Sequence, residues 1–378
     1  MKIAINTRHL IKDRLDGIGW FSYESLKRIT RKHSEHQFFF IFDRPYSDEF
    51  IFSSNITPVV IPPQTRHPIL WYWWFEYSVP RILKKNNIDL FLSPDGFLSL
   101  STDITSLPVI HDINFIHRSN DFPCLAGKYY RHYFPLFARK GKRIATVSEY
   151  SKKDISNSYS IAPYKIDVVF NGANSDYSPL KRDEKDRTRK KYTGGNDYFV
   201  FIGTLQPRKN ITGLLLAFDE FRKCYSSNFK LVIVGEKMFK TNEIKKIYSK
   251  MVYKDDVIFM NRLSPGKLRF ILGAAAALIF VSFFEGFGIP ILEAMFCETP
   301  VITSNVTSMP EVSGDAALLV DPFSVGSIKN GMLEIIKNPR LKNQLIKNSR
   351  KQREKFNWDK TAENLWNSIE KCFGDDKG

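Results

Sequence analysis

AALIFVSFFEGFGIPILEAMFCETPVITS, residues 276–304, is the stretch on which the fold turns. Ala277–Ser282 is a short, continuously apolar run, the pattern of a strand covered on both faces. A loop follows with Gly286 and Gly288, which let backbone approach a ligand closely. Pro290 suits the first position of a helix, where its missing N–H would be unpaired anyway. Ile291, Leu292, Glu293, Ala294 and Met295 continue that helix, and Thr299–Ser304 reads as the next strand. Strand, loop, helix, strand predicts an α/β architecture with parallel strands.

The same rhythm extends in both directions. Strands are expected at Lys2–Asn6, Phe38–Phe42, Thr57–Ile61, Asp89–Leu92, Pro108–His111, Arg143–Val147 and Lys165–Phe170. A second series comprises Tyr198–Gly203, Lys230–Gly235, Asp256–Met260, Ala277–Ser282, Thr299–Ser304 and Ala317–Asp321. Between them lies PLKRDEKDRTRKKYTGGND (179–197), dense in charge and poor in apolar periodicity, which reads as a linker or an exposed helix beside one. Trp358, Ala362, Leu365, Trp366 and Ile369 recur at helical spacing, so one face of the last helix is buried. A chain of 378 residues exceeds what one core holds. The expectation is two domains, residues 1–175 and 198–358, joined by 176–197. Each is a doubly wound sheet whose ligands bind beyond the carboxyl ends of its strands, with a cleft between the two.

Composition excludes several classes. With 43% hydrophobic and 25% charged residues the chain is an ordinary globular one. The net charge of +16 suits nucleic acid, an anionic membrane or phosphorylated small molecules, or simply a Lys-rich solvated surface. No recognition-helix, zinc-finger or RNP pattern favours nucleic acid. Cys124, Cys224, Cys297 and Cys372 lie far apart, without metal spacing, as in a reduced cytoplasmic protein. The start, MKIAIN, reads as a strand and lacks the long apolar stretch expected of a signal peptide, and no run of roughly 18 apolar residues is present to span a bilayer.

Three strand-end loops of the second half carry candidate chemistry. Amides around Phe287, Gly288 and Ile289, with a helix dipole behind them, form a phosphate site. Glu285 in the loop and Glu293 in the first helical turn are acceptors suited to sugar hydroxyls. The plain alternative is that Glu293 complements the dipole and Glu285 is solvated. VFIGTLQPRKN (200–210) ends a strand at Gly203 and then places Arg208 and Lys209 where they can hold a diphosphate, or are merely exposed cations. SNVTSMPEVSGDAALLVDP (304–322) adds Ser308 and Glu311 after another strand. In the first half, PVIHDINF (108–115) ends a strand at His111, with Asp112 beside it to orient the ring, and Ser151 is placed to cap the helix that follows Ser148. The Gly17-Ile18-Gly19 loop lacks the third glycine of a dinucleotide fingerprint, which weakens a nicotinamide-enzyme reading.

Taken together, GTLQPRKN, FFEGFGIPILEAMFCETPVITS and MPEVSGDAALLVDP resemble the retaining glycosyltransferases of family 4, which have the GT-B fold of two Rossmann-like domains facing a central cleft. The resemblance runs from Gly17 to Trp358. It implies an acceptor-binding first domain, to which a helix at about 359–378 returns, and a nucleotide-sugar-binding second domain. It implies that Glu285 contacts the donor sugar, Glu293 the ribose, and the Phe287–Ile289 backbone the sugar and phosphate. Lys209 takes the paired-cation position. Thr204 stands where the family often has Arg after Gly203, and Arg208 is its expected replacement. His111 is implied beside the sugar, and Gly17 and Gly19 near the donor phosphate or the acceptor. The donor-binding set is therefore Gly17, Gly19, Gly203, Thr204, Arg208, Lys209, Glu285, Gly286, Phe287, Gly288, Ile289 and Glu293, with Glu285, His111, Lys209 and Arg208 nearest the chemistry.

No Asp-x-Asp motif occurs, so neither metal nor cofactor is expected, and the leaving diphosphate is met by cations and helix-end amides. The resemblance implies front-face transfer with retained configuration, and domain closure that excludes water. It further suggests a hexose, such as mannose from GDP-mannose, moved to a saccharide or polyprenyl-linked saccharide in bacterial surface-polysaccharide synthesis. A nucleotide-sugar epimerase of the same fold is one alternative; a non-catalytic basic protein that binds membrane or nucleic acid is another. PPQTRHPILWYWWFEYSVPRILKK (62–85) sets Trp71, Trp73 and Trp74 among Arg66, His67, Arg81, Lys84 and Lys85. It reads equally as a segment touching an anionic inner-membrane surface and as a core helix.

Overall fold

Parallel pairing builds every sheet of the computed structural model, which describes residues 1–374 except 237, 239 and 240. The chain divides into two units, Met1–Asn171 with Trp358–Gly378, and Gly172–Asn357.

The first unit contains β1 (Lys2–Asn6), β2 (Gln37–Phe42), β3 (Ile56–Val60), β4 (Leu90–Ser93) and β5 (Thr105–Pro108) in the order β3-β2-β1-β4-β5. A bridge from Val109 to Ala145 extends this sheet to the pair β6 (Ile144–Thr146) and β7 (Ile166–Val168). The second unit contains β8 (Tyr198–Ile202), β9 (Lys230–Val234), β10 (Val257–Met260), β11 (Ala277–Phe280), β12 (Val301–Ser304) and β13 (Ala317–Val320). Their order, β10-β9-β8-β11-β12-β13, is that of a doubly wound sheet. In it the order reverses between β8 and β11; in the first unit it reverses between β1 and β4.

The strands are apolar because helices cover both faces. Ile3, Phe38, Phe40 and Leu90 are fully buried in one unit, Phe199, Val232, Leu278 and Ile302 in the other. One expected strand is displaced. The register pairs Leu90 with Thr105 and Ser93 with Pro108, so β5 uses the mixed segment TSLP rather than PVIH. His111 therefore lies three residues beyond the strand rather than at its end.

The segment 179–197 is not an extended linker. Arg182–Thr193 is a helix whose start is held by Lys181 N–H donating to Glu184, and Gly194 ends it at φ +63°. Arg189 bonds the Ala274 carbonyl at 3.1 Å, so the helix is part of the second unit. The last helix, Trp358–Lys371, belongs to the first unit: Thr361 bonds the Phe170 carbonyl and Arg28 bonds Asp359. Of the segment 359–378, residues 375–378 lie outside the described residues.

Candidate active site

In the second unit the loops after β8 and β11 meet at the reversal point. Pro207–Lys209 form a single helical turn after β8, and Phe283 N–H donates to the Arg208 carbonyl at 2.8 Å. The two loops are thereby fixed to each other by backbone. Gly235, just after β9, lets that strand's end lie close against the start of the loop after β8: a Cβ there would stand 1.9 Å from the Gly203 carbonyl oxygen. Asn210, in the left-handed region at φ +56°, caps the following helix by accepting from Gly213 N–H. Its amide donates to Val281 O and Pro322 O, tying in the loops after β11 and β13.

That scaffold converges on Glu285. Lys209 Nζ lies 2.6 Å from Oε1 and Arg208 Nη1 2.7 Å from Oε2, with all three side chains largely buried. Arg208 also donates to Phe284 O at 2.9 Å, and the Lys209 ammonium sits 4.8 Å from the Phe280 ring centroid. Burial opposes ionisation of Glu285, but the two cations outweigh it and pull the carboxyl down to about 2. One carboxylate and two cations leave a net positive charge, suited to an anion. Ser308 Oγ donates to Glu285 O and Phe287 O and braces the loop. Gly203 and Thr204 open the loop after β8, where Gln206 donates to Thr204 Oγ1 at 3.0 Å.

The helix Ile289–Phe296 begins after Gly288, which caps it at φ +100°, a conformation few side chains tolerate. Pro290 is the second helical residue, not the first, and Glu293 therefore falls in the second turn. Burial pushes the Glu293 carboxyl up to about 7, although a hydrogen bond with buried Tyr177 opposes this. Glu293 is thus held against Tyr177 with its ionisation raised into the neutral range. Gly286 and Phe287 complete the loop, with Phe287 edge-on to Phe356 at 5.5 Å.

The first unit carries its own polar cluster at its reversal point. Arg8 Nε donates to Asp95 at 2.5 Å, Asn6 donates to Asp95 at 2.9 Å, and His9 lies 3.3 Å from Asp95 and 3.8 Å from Asp16. Burial disfavours the imidazolium of His9, but Asp16 and Asp95 overcome this and raise it to about 9. The sequence patterns above did not single out this set, although NTRHL, beginning on the last residue of β1, and SPDG, beginning on the last residue of β4, mark it. Gly17 and Gly19 are not a loop: they form the first turn of the helix Gly17–Lys32, capped by Asp16 accepting from Gly19 N–H at 2.8 Å.

His111 Nε2 is 2.8 Å from the Pro94 carbonyl, which only accepts, so Nε2 carries the proton. Burial lowers its pKa, leaving a neutral ring with Nδ1 as its acceptor. Phe21 packs edge-on at 5.0 Å. Asp112 does not orient this ring; it accepts from the Asn114 backbone instead. Ser148, not Ser151, caps the next helix, and Ser151 Oγ donates to His111 O at 3.0 Å.

Comparison with known proteins follows the same division. The profile of "Glycosyltransferase Family 4" matches residues 16–177, and that of "Glycosyl transferases group 1" matches residues 182–352. The chain is 28% identical to O-antigen chain mannosyltransferase B of Escherichia coli over 95% of this chain and 97% of that one. It is 28% identical to O-antigen chain mannosyltransferase RfbU of Salmonella typhimurium over 72% of each. In structure it resembles Anabaena Alr3699/HepE, solved with UDP-glucose, at a TM-score of 0.76 and 14% identity, covering 98% of this chain and 100% of that one. It also resembles WaaG, a glycosyltransferase involved in lipopolysaccharide biosynthesis, at a TM-score of 0.74 and 16% identity, covering 96% and 98%. The chain belongs to the family 4 glycosyltransferases and is a glycosyltransferase of the GT-B fold.

Proposed function

We propose that the protein transfers a hexose, mannose in the first instance, from a nucleotide sugar to a saccharide or lipid-linked saccharide, with retention of anomeric configuration, in O-antigen synthesis. One observation carries this reading: Glu285, Arg208 and Lys209 converge at the strand reversal of the second unit, beside the start of the helix Ile289–Phe296. The names of the O-antigen mannosyltransferase relatives support the sugar and the pathway.

In this reading Arg208 and Lys209 meet the diphosphate and stabilise the charge that develops as the sugar leaves. Glu285, kept ionised, accepts from sugar hydroxyls, and Glu293 receives the ribose. No carboxylate is assigned as a nucleophile, so the acceptor attacks the face that the diphosphate leaves, and no metal is required. His111 is proposed to accept a sugar hydroxyl at Nδ1. Differential scanning with GDP-, UDP- and dTDP-sugars tests the proposal: one class raises the melting temperature and is slowly hydrolysed, whereas a flat response to all three refutes it.

A membrane role draws its support from the segment 62–85, where buried and exposed aromatics stand side by side. Trp74 is buried and donates to Ile61 O, and Trp71 is stacked on Tyr130. Ile69, Tyr72, Trp73 and Tyr77 are exposed, with Arg66, Arg81, Lys84 and Lys85 exposed nearby. We propose that this rim rests on the anionic inner face of the plasma membrane, where a lipid-linked acceptor resides. Among the described residues no helix is long and apolar enough to cross a membrane.

A further inference from the structure

Away from the strand-end faces of either unit, a tight turn joins the helix Gly17–Lys32 to β2. His36 N–H donates to the His33 carbonyl at 3.2 Å. Asn55 pins the same turn, its amide nitrogen lying 3.1 to 3.2 Å from the carbonyls of Thr30, His33 and His36. Both imidazoles stack on Trp366, at centroid distances of 3.6 Å for His33 and 5.1 Å for His36. The indole is itself held by Nε1 donating to Glu370 at 2.7 Å. His36 Nδ1 meets the Met1 amine at 3.0 Å, so Nε2 is the nitrogen turned toward Glu35.

The Glu35 carboxylate lies between the rings. Its Oε1 is 3.6 Å from His33 Nδ1 and 3.3 Å from His36 Nε2, and one donor atom from each residue lies within 4.8 Å of the others. Tetrahedral zinc with bonds of about 2.0–2.1 Å separates its ligands by about 3.3 Å. The carboxylate therefore already stands at ligand spacing from both nitrogens, and the backbone that carries them is fixed by Asn55. Two imidazoles and one carboxylate suit zinc, nickel or copper and not the oxygen-seeking magnesium or calcium. The His33 and His36 side chains are 16% and 17% exposed and that of Glu35 61%, so water has access to complete the coordination.

We propose that His33, Glu35 and His36 form a site for a zinc-like divalent transition-metal ion, seated against Trp366 of the returning helix Trp358–Lys371. Its ligands come from the N-terminal part of the first unit and its supporting indole from the C-terminal segment. Occupancy therefore strengthens the docking of that segment and takes no part in sugar transfer.

The test uses the full chain stripped of metal. Calorimetric titration with zinc chloride is expected to show one ion per chain. Glu35→Gln and His36→Gln each weaken binding by about tenfold or more, at least the loss seen when an outer-shell partner is removed. Copper(II) is expected to quench a component of tryptophan emission that is missing from Trp366→Phe. Glu35 is exposed, so Glu35→Gln retains the fold even if His36→Gln does not, and circular dichroism of the metal-free variants verifies this. No stoichiometric zinc uptake, uptake unchanged in a folded Glu35→Gln protein, or quenching undiminished in Trp366→Phe would each overturn the site.

Discussion

Lys209 Nζ stands 2.6 Å from Glu285 Oε1, and this contact bridges β8 and β11 where the strand order reverses. The first unit repeats the motif with Arg8 and Asp95, 2.5 Å apart after β1 and β4. The two pairs differ in surroundings. Arg8 is covered by the rings of Phe97 and Phe75, 4.1 and 5.2 Å away, which suits a buried structural pair. Glu285 has a second cation, Arg208, and a helix start beside it, which suits an anionic ligand.

Removing one member of that set should affect chemistry more than folding. Lys209→Met leaves Glu285 paired with Arg208, so the fold persists while turnover falls about 10²–10³-fold, as for loss of one transition-state donor. Glu285→Gln should lower turnover comparably without stranding a bare cavity between two cations. Glu285→Ala is the poorer test, because two buried cations then lose their partner at a cost of about 3–5 kcal/mol. Radiolabelled sugar transfer together with melting temperatures separates the two effects.

Asn210 is predicted to matter for stability. Asn210→Ala loses a helix cap and two buried hydrogen bonds and keeps an unfavourable positive φ. A loss of about 2–4 kcal/mol is expected from chemical denaturation.

The parallel strands were legible because burial on both faces makes each run continuously apolar; Lys2–Asn6 and Tyr198–Ile202 are examples. β5 was not, because Thr105 and Ser106 interrupt that signal while the apolar PVI that follows only bridges to Ala145. Glu285, Arg208 and Lys209 were legible from glycines and cations at strand ends. The Arg8–His9–Asp16–Asp95 cluster was not, since only the β1–β4 pairing brings residues so distant in sequence together. The Tyr177–Glu293 contact left no local trace either.

The His9 cluster predicts a pH dependence. The folded-state pKa is raised from 6.5 to about 9, so its stabilising contribution is complete below pH 6.5 and is lost as pH rises through about 9. His9→Gln should flatten that decline in melting temperature between pH 6.5 and 9. An unchanged profile would show that His9 is not held charged by Asp16 and Asp95.

The exposed rim of the segment 62–85 predicts membrane binding that is separable from folding. Trp73→Ser with Tyr77→Ser should reduce cosedimentation with anionic vesicles severalfold and leave the melting temperature unchanged, since both side chains are exposed. Equal sedimentation would show that this rim does not bind the membrane.

Whether Arg208, Lys209 and Glu285 form the nucleotide-sugar site is answered by calorimetric titration of the donor selected by thermal screening. Saturable binding to the wild-type chain is expected, with affinity weakened about tenfold or more in Lys209→Met, consistent with loss of a charge-assisted contact. Equal affinity in a folded Lys209→Met protein would contradict it.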